Sequence, residues 1–411
     1  MRNDCASCNF SRRTLASIIL LCSICFCIAL EATGIRAGAQ TPATDASANA
    51  DWLKSLQFKN ASLASFGGIK VHHTPGATSP VTGKQYFRVS PYSGNLAVRS
   101  LLLSQQPGSV AVAERWIRWY FDHLNPTSAA DGVPFEHFYL EDGSGETVTV
   151  VPGDPRLDRY NDATDSAAAT FFSVLRAFLH AGGSKAILLV PESKLRLHKM
   201  AGALYALQQP DGLFWAKANY RAKYLEDNCE VFEGLVALKE IENQVYYANP
   251  AGVGRCELAL QKLKHGIITE LGSPDGIWKV TKFEDGKIQT PDTDRWYPDM
   301  QCQLWPVLFG VVDAASAPAQ KTKILLQTRW GGNGRPNWST DALTVNGGFV
   351  NADVAYGAAL LGLRSEARTY LKTVEAAKFP GAQAPQRFAW PFTPLDAGWM
   401  LLLCNALNSP H

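Results

Sequence analysis

Apolar positions along this chain recur with a helical period, and polar or acidic clusters interrupt them where long loops end. The periodic stretches predict helices over Tyr92–Ser104, Ser109–Leu124, Ala163–Ala181, Ser193–Gln209, Glu226–Val245 and Cys256–Leu271. Further helices are predicted over Asp299–Ala314, Ala317–Trp330, Phe349–Leu363, Ser365–Ala377 and Thr393–Leu407, with Asp51–Phe58 as a twelfth. Breakers stand where such helices should stop, at Pro107-Gly108, Asn125-Pro126, Gly182-Gly183 and Pro210. The connections alternate in length: odd-to-even links are mostly short, whereas Asn125 to Asp162, Gly272 to Pro298 and Lys378 to Phe392 are long. That alternation predicts stacked helical hairpins with one loop-rich end, and long loops in compact domains are usually functional. Asp142-Gly143 and Asp285-Gly286, each between β-prone runs, predict hairpin turns inside two of these loops. The expected fold is all-α, a single (α/α)6 barrel of six helical hairpins with partly β loops on one face.

The polar clusters open every second helix. They read Pro91-Tyr92-Ser93-Gly94-Asn95, Tyr160-Asn161-Asp162-Ala163-Thr164-Asp165-Ser166 and Leu225-Glu226-Asp227-Asn228-Cys229-Glu230. The later three are Arg295-Trp296-Tyr297-Pro298-Asp299-Met300, Asn346-Gly347-Gly348-Phe349-Val350-Asn351-Ala352-Asp353 and Phe392-Thr393-Pro394-Leu395-Asp396. If the helices alternate direction around a ring, these starts gather on one face, together with most of the carboxylates and tryptophans that chemistry can use.

Residues 1–39 read as a targeting segment: Arg2, Arg12 and Arg13, an apolar run from Leu15 to Leu30, then Ala37-Gly38-Ala39 before Gln40. The run is shorter than the roughly 20 residues of a spanning helix, which leaves an uncleaved anchor as the competing reading. Residues 40–90 form an irregular lead-in and 91–411 the catalytic domain. Export to the periplasm or medium of a bacterium follows, with no integral span after cleavage. Removing residues 1–39 takes four basic and two acidic side chains from totals of 39 and 37, so the remainder is electrically neutral. Nucleic-acid binding needs a concentrated basic footprint, and none is present. A neutral partner such as a sugar fits the balance, and the protein is expected to act as a monomer. Cys229, Cys256, Cys302 and Cys404 remain, either as two disulfides or as buried free thiols. No Cys-x-x-Cys pair or histidine cluster survives removal of residues 1–39, so neither metal nor cofactor is expected. The acidic stretch Asp292 to Asp299 is the one candidate for calcium.

From Tyr92 to Leu407 the chain resembles the six-hairpin glycosidase-like superfamily, on its hairpin count, loop asymmetry and the segments Tyr160–Phe171 and Tyr224–Leu235. The resemblance implies acids on the inner helices at the loop-rich mouth of the barrel. It also implies an activity among inverting glycosidases, unsaturated-uronide hydrolases, polysaccharide lyases and sugar epimerases.

Glycoside hydrolysis needs two carboxylates, one protonated as acid and one ionised as base or nucleophile. Asp165 with Asp227 or Glu230 are the leading candidates, and Asp227 and Glu230, three apart, share a helix face. Asp299 is the third choice, because Asp292, Asp294 and Arg295 accompany it. An acid in a first turn is also favourable without catalysis, so helix-end stabilisation competes for each of them. Asp162, Tyr160, Trp215, Tyr224, Trp296, Tyr297, Asp353, Trp390 and Asp396 are candidate substrate contacts, the aromatics as stacking platforms for sugar rings. Trp278 and Trp338 also lie in or beside the long loops, and such aromatics equally serve as core cover. The expected function is a glycoside hydrolase that cleaves an oligo- or polysaccharide with inversion. The alternatives are a non-catalytic carbohydrate-binding or envelope polysaccharide protein, and a lyase or uronide hydrolase, which would want a cationic cleft.

Overall fold

The computed structural model describes residues 42–125, 132–148, 159–246, 249–273, 275–377 and 392–409. Six helical staves make an inner ring: α2 (Pro91–Leu103), α4 (Thr164–His180), α7 (Leu225–Gln244), α9 (Trp305–Leu308), α11 (Ala352–Leu360) and α13 (Pro394–Asn408). Each packs on the next, and α13 returns to α2. Outside them, α3 (Ser109–Asp122) covers α2 and α4, α6 (Pro191–Leu207) covers α4, and α8 (Pro250–Gly266) covers α7. A one-turn helix, α5 (Ala186–Leu189), leads into α6. Further round, α10 (Ala317–Trp330) backs the turn before α9, and α12 (Arg364–Ala376) lies against α11 and α13. The place beside α13 is taken by α1 (Pro42–Ser55), which starts well before the predicted Asp51 and gives the lead-in a helix of its own. This is an α/α toroid, as the loop alternation predicts.

Local chemistry explains the helix ends. The Ser90 hydroxyl accepts from Ser93 N–H at the head of α2, and Thr393 and Asp396 form a reciprocal capping box on α13. Gly182 takes φ +85° after α4, and Gly183 N–H bonds the Phe178 carbonyl at 2.8 Å. Small residues set the tightest inner contact: a Cβ on Gly234 of α7 would lie 2.5 Å from Ala169 Cα on α4. Below this contact, Arg99 of α2 and Arg176 of α4 both reach Glu233 of α7, the Arg99 pair being buried.

One predicted helix is broken. Instead of a continuous Asp299–Ala314, the chain makes a wide π-type turn over Trp296–Met300, a 3₁₀ turn over Gln301–Leu304 and the single α-turn of α9. Pro306 cannot donate a backbone hydrogen bond, and Gly310, at φ +71°, turns the chain away shortly after Leu308.

Two small antiparallel sheets sit at the inner-helix starts. Strands β1 (Ala77–Thr78), β2 (Gln85–Val89) and β3 (His137–Tyr139) form the first, with Phe87 opposite Tyr139, and β2 runs directly into α2. Strands β4 (Ala222–Tyr224), β5 (Thr281–Phe283) and β6 (Ile288–Gln289) form the second, and β4 runs into α7. The Asp285-Gly286 turn closes a hairpin as predicted, with Phe283 N–H bonded to the Lys287 carbonyl at 2.9 Å. Around Asp142-Gly143 the pairing is shorter: Phe138 and Thr147 exchange backbone hydrogen bonds at 2.9 and 3.0 Å, while the other edge of β3 pairs with β2. Cys229, Cys256, Cys302 and Cys404 are buried, and no disulfide joins any two of them. No described helix is long and apolar enough to cross a membrane.

Candidate active site

The first turns of α4 and α7 lie side by side and bring five carboxylates into one electrostatic neighbourhood. On α4, Asp165 is 0 % exposed. Its Oδ1 accepts Ser166 N–H at 2.8 Å, and its Oδ2 has no partner. The loop before β4 holds this start in place, since Ala216 carbonyl accepts Thr164 N–H at 2.8 Å and Asp165 N–H at 3.3 Å. Burial, with Asp227 and then Glu230 nearby, pushes the Asp165 carboxyl well above its ordinary range. Asp165 is not a cap: the cap position is Ala163, which has no side chain to offer.

On α7, Glu230 is 1 % exposed, and its Oε1 accepts the Tyr92 hydroxyl of α2 at 2.8 Å. Its Oε2 has no partner, and burial with the charge of Asp227 raises it strongly. Asp227, half-buried, is raised to about 7 by burial first and by Asp162 second, while the Lys217 ammonium opposes the shift. The Ser166 hydroxyl makes no hydrogen bond of good geometry, yet it lies near enough to Asp227 and Glu230 to draw both carboxyls down. Asp162 is exposed at the rim and accepts the Tyr160 hydroxyl at 2.8 Å. Lys217 stands 5.2 Å from the Tyr160 ring centroid and donates to the Asn161 carbonyl.

Glu226 was not among the candidates read from sequence, where it passed for a first-turn charge. It belongs to the cluster. Its Oε1 is buried without a partner, and burial, Asp227 and Asp353 push it well up. Tyr297, 51 % exposed, sits across from it, its hydroxyl raised first by Glu226, then by burial and by Asp162 and Asp227. Tyr220 and Tyr224 share a 2.6 Å hydroxyl contact beside them. The mouth is thus lined with tyrosines more than with tryptophans.

The other predicted residues fall elsewhere. Asp299 is 0 % exposed and clasped, its Oδ2 by Arg295 and its Oδ1 by Asp292 N–H at 2.9 Å. It ties its own loop and does not join the cluster. Asp294 pairs with Arg335 at 2.6 Å, so two of the three aspartates in the acidic stretch have arginine partners. Asp353 at the head of α11 accepts Gln301 at 2.8 Å and is raised by burial to about 6. Asp396 works as the capping-box acid of α13 and is raised by burial to about 7. Trp296 is buried edge-on to Trp330 at 4.9 Å, and Trp278 and Trp338 are buried too, which corrects their reading as sugar platforms to core packing. Trp215 is half-buried under the Arg221 guanidinium at 4.8 Å. Trp390 lies outside the described residues.

These raised carboxyls fix a sign for stability against pH. Asp227, Asp353 and Asp396 bind protons more tightly folded than at the ordinary carboxylate value of about 4. The stability they contribute is complete below about pH 4 and is lost as pH rises through about 6 to 7. Thermal denaturation across that range should show a midpoint that falls with rising pH, and Asp396→Asn should flatten part of the fall. A midpoint that climbs steadily from acid to neutral would contradict it.

The comparisons with known proteins bear on the fold. Neither the protein-family models nor the curated proteins give a match to this sequence. Among solved structures, a protein described as a glycosidase superposes with a TM-score of 0.56 at 14% identity, over 89% of this chain and 97% of its own. A novel alpha-amylase from Clostridium perfringens gives 0.54 at 11% identity, over 88% and 97%. An unsaturated glucuronyl hydrolase specific for heparin gives 0.51 at 10% identity, over 89% and 96%. At such identities the likeness shows the six-hairpin glycosidase-like fold alone.

Proposed function

We propose that this protein is an exported glycoside hydrolase that cleaves a neutral oligo- or polysaccharide with inversion at the anomeric carbon. One observation carries the reading: Asp162, Asp165, Glu226, Asp227 and Glu230 share a single electrostatic neighbourhood at the loop-rich end of the toroid, with Tyr92 and Tyr297 among them. Such a site favours the positive charge that develops on an oxocarbenium-like sugar and offers acceptors to its hydroxyls. Asp227, raised to about 7, is the proton donor to the leaving oxygen. Asp162, exposed and steadied by Tyr160, is the base that orients water. Asp165 and Glu230, too buried to touch a substrate atom, are positioning residues beside Asp227, whose charge helps to keep both protonated.

The charge arrangement favours a neutral sugar over a uronate. Arg221 is engaged by Glu284, Lys223 by Asp211 and Arg295 by Asp299, so these three cations already have carboxylate partners. The fold neighbours described as glycosidase and alpha-amylase are consistent with hydrolysis.

The test is incubation of the chain from Gln40 onward with a panel of neutral and uronate-containing glycans, read by mass spectrometry and by NMR of the first-formed anomer. Products that together weigh the parent plus one water, with inverted anomeric configuration, are expected from neutral glycans. Unsaturated products without added water would assign a lyase instead. Binding without turnover across the panel would turn the mouth into a carbohydrate-binding surface.

A further inference from the structure

Outside the mouth, three side chains that the proposed chemistry does not use converge on the loop-rich flank of the toroid. His123 follows the last residue of α3, His137 opens β3, and Glu146 lies just after the Asp142-Gly143 turn. Their donor atoms all lie within 4.8 Å of one another. His123 Nε2 is 2.9 Å from Glu146 Oε1, and His137 Nδ1 is 3.0 Å from the same oxygen.

Proton accounting makes the arrangement informative. His123 Nδ1 is 2.6 Å from the Trp119 carbonyl oxygen, which only accepts, so Nδ1 carries the hydrogen. The neutral ring then presents a bare Nε2 lone pair to a carboxylate oxygen. His137 is 7 % exposed, and neither of its nitrogens makes a hydrogen bond of good geometry. Two lone pairs and a carboxylate facing one point are satisfied by a cation placed between them. A backbone carbonyl that fixes the tautomer of a ligating histidine is the usual outer support of such sites.

The rings are also held in place. His123 stacks on Trp119 at 4.5 Å and 22°, and His137 meets the same indole edge-on at 5.5 Å. The Tyr139 hydroxyl, 3.0 Å from both His123 Nε2 and Glu146 Oε1, accepts from Trp119 Nε1 at 3.1 Å. A tetrahedral zinc ion with ligands at about 2.0–2.1 Å wants its donors about 3.3 Å apart. A small swing of the exposed Glu146 side chain opens the present 2.9 and 3.0 Å separations by that margin, and the two ring nitrogens already lie within 4.8 Å of each other.

We propose that His123 Nε2, His137 Nδ1 and the Glu146 carboxylate bind one divalent transition-metal ion of the zinc class, with water in the fourth position. Two imidazoles with a single carboxylate select zinc-like ions over calcium or magnesium. The ion staples the Glu146 turn to the end of α3, and so anchors the long connection that delivers Asp162 and Asp165 to the mouth.

The purified chain, stripped by chelator and dialysed, is titrated with zinc chloride by calorimetry, and its cobalt derivative is read by visible absorption. One ion per chain is expected, with a raised thermal midpoint and the cobalt spectrum of a four-coordinate site. Glu146→Gln, an exposed change compatible with folding, should weaken binding by about 100-fold, and His123→Ala by at least as much. Absence of binding to the folded wild-type chain would overturn the proposal. So would binding of one ion that both variants leave unchanged.

Discussion

Asp227→Asn should lower turnover by about 10²–10⁴-fold, the usual contribution of a positioned acid, while the variant remains folded. The half-buried position tolerates a neutral isostere, because burial already works against the charged form. The pH profile carries the sharper signature. A donor must hold its proton, so wild-type activity should fall as pH rises through about 7. In Asp227→Asn the residual activity should lose that limb. Asp165→Asn leaves both the donor and the Asp162 charge that raises it in place, so its limb should survive near pH 7. Turnover in Asp227→Asn equal to wild type would remove Asp227 from the chemistry.

Arg99→Ala should destabilise the toroid by about 3–5 kcal/mol, since it strands Glu233 as a buried charge with only the longer 3.3 Å contact to Arg176. Chemical denaturation reads this directly. Adding Glu233→Gln to Arg99→Met should recover most of the loss, because the only charge then left without its partner is that of the half-buried Arg176, which solvent reaches. Equal losses in the single and double variants would show that packing of the Arg99 stem, and not its charge, matters here.

The architecture was legible in the sequence because helical periodicity and loop length report on it directly. Six hairpins with loop-rich starts need only the 3.6-residue rhythm and the breakers that end it. The seventh helix failed by the same logic: apolar spacing runs through Pro306, but its missing donor breaks the ladder toward Cys302 and the turn at Gly310 follows soon after Leu308. The mouth was legible in part. Asp165, Asp227 and Glu230 open adjacent staves, so their meeting follows from topology. Glu226 was missed because a first-turn glutamate is ordinarily a solvated charge, and its company here, Asp353 and Tyr297, comes from distant parts of the chain. Asp299 misled because Arg295, read as company for an acid, is its partner. Loop tryptophans say nothing of which face is covered, so Trp296 read as a platform until Trp330 was found against it. His123 and His137 stand on different elements, and no linear spacing rule joins them.

The meeting of α13 with α2 and α1 has a kinetic side. Five of the six inner interfaces join staves that follow one another in sequence, but the sixth joins the first stave to the last, closing a loop of roughly 300 residues. The entropy of closure grows only with the logarithm of loop length, so this costs little more in equilibrium than a shorter ring would. In time it costs more. Until α13 is synthesised, α2 has no neighbour on one side and leaves Ala97 and Ser100 without the cover of Gly398. The nascent chain is therefore an open arc with an apolar edge at each end, and its most vulnerable interval for self-association lasts until the final stave is released.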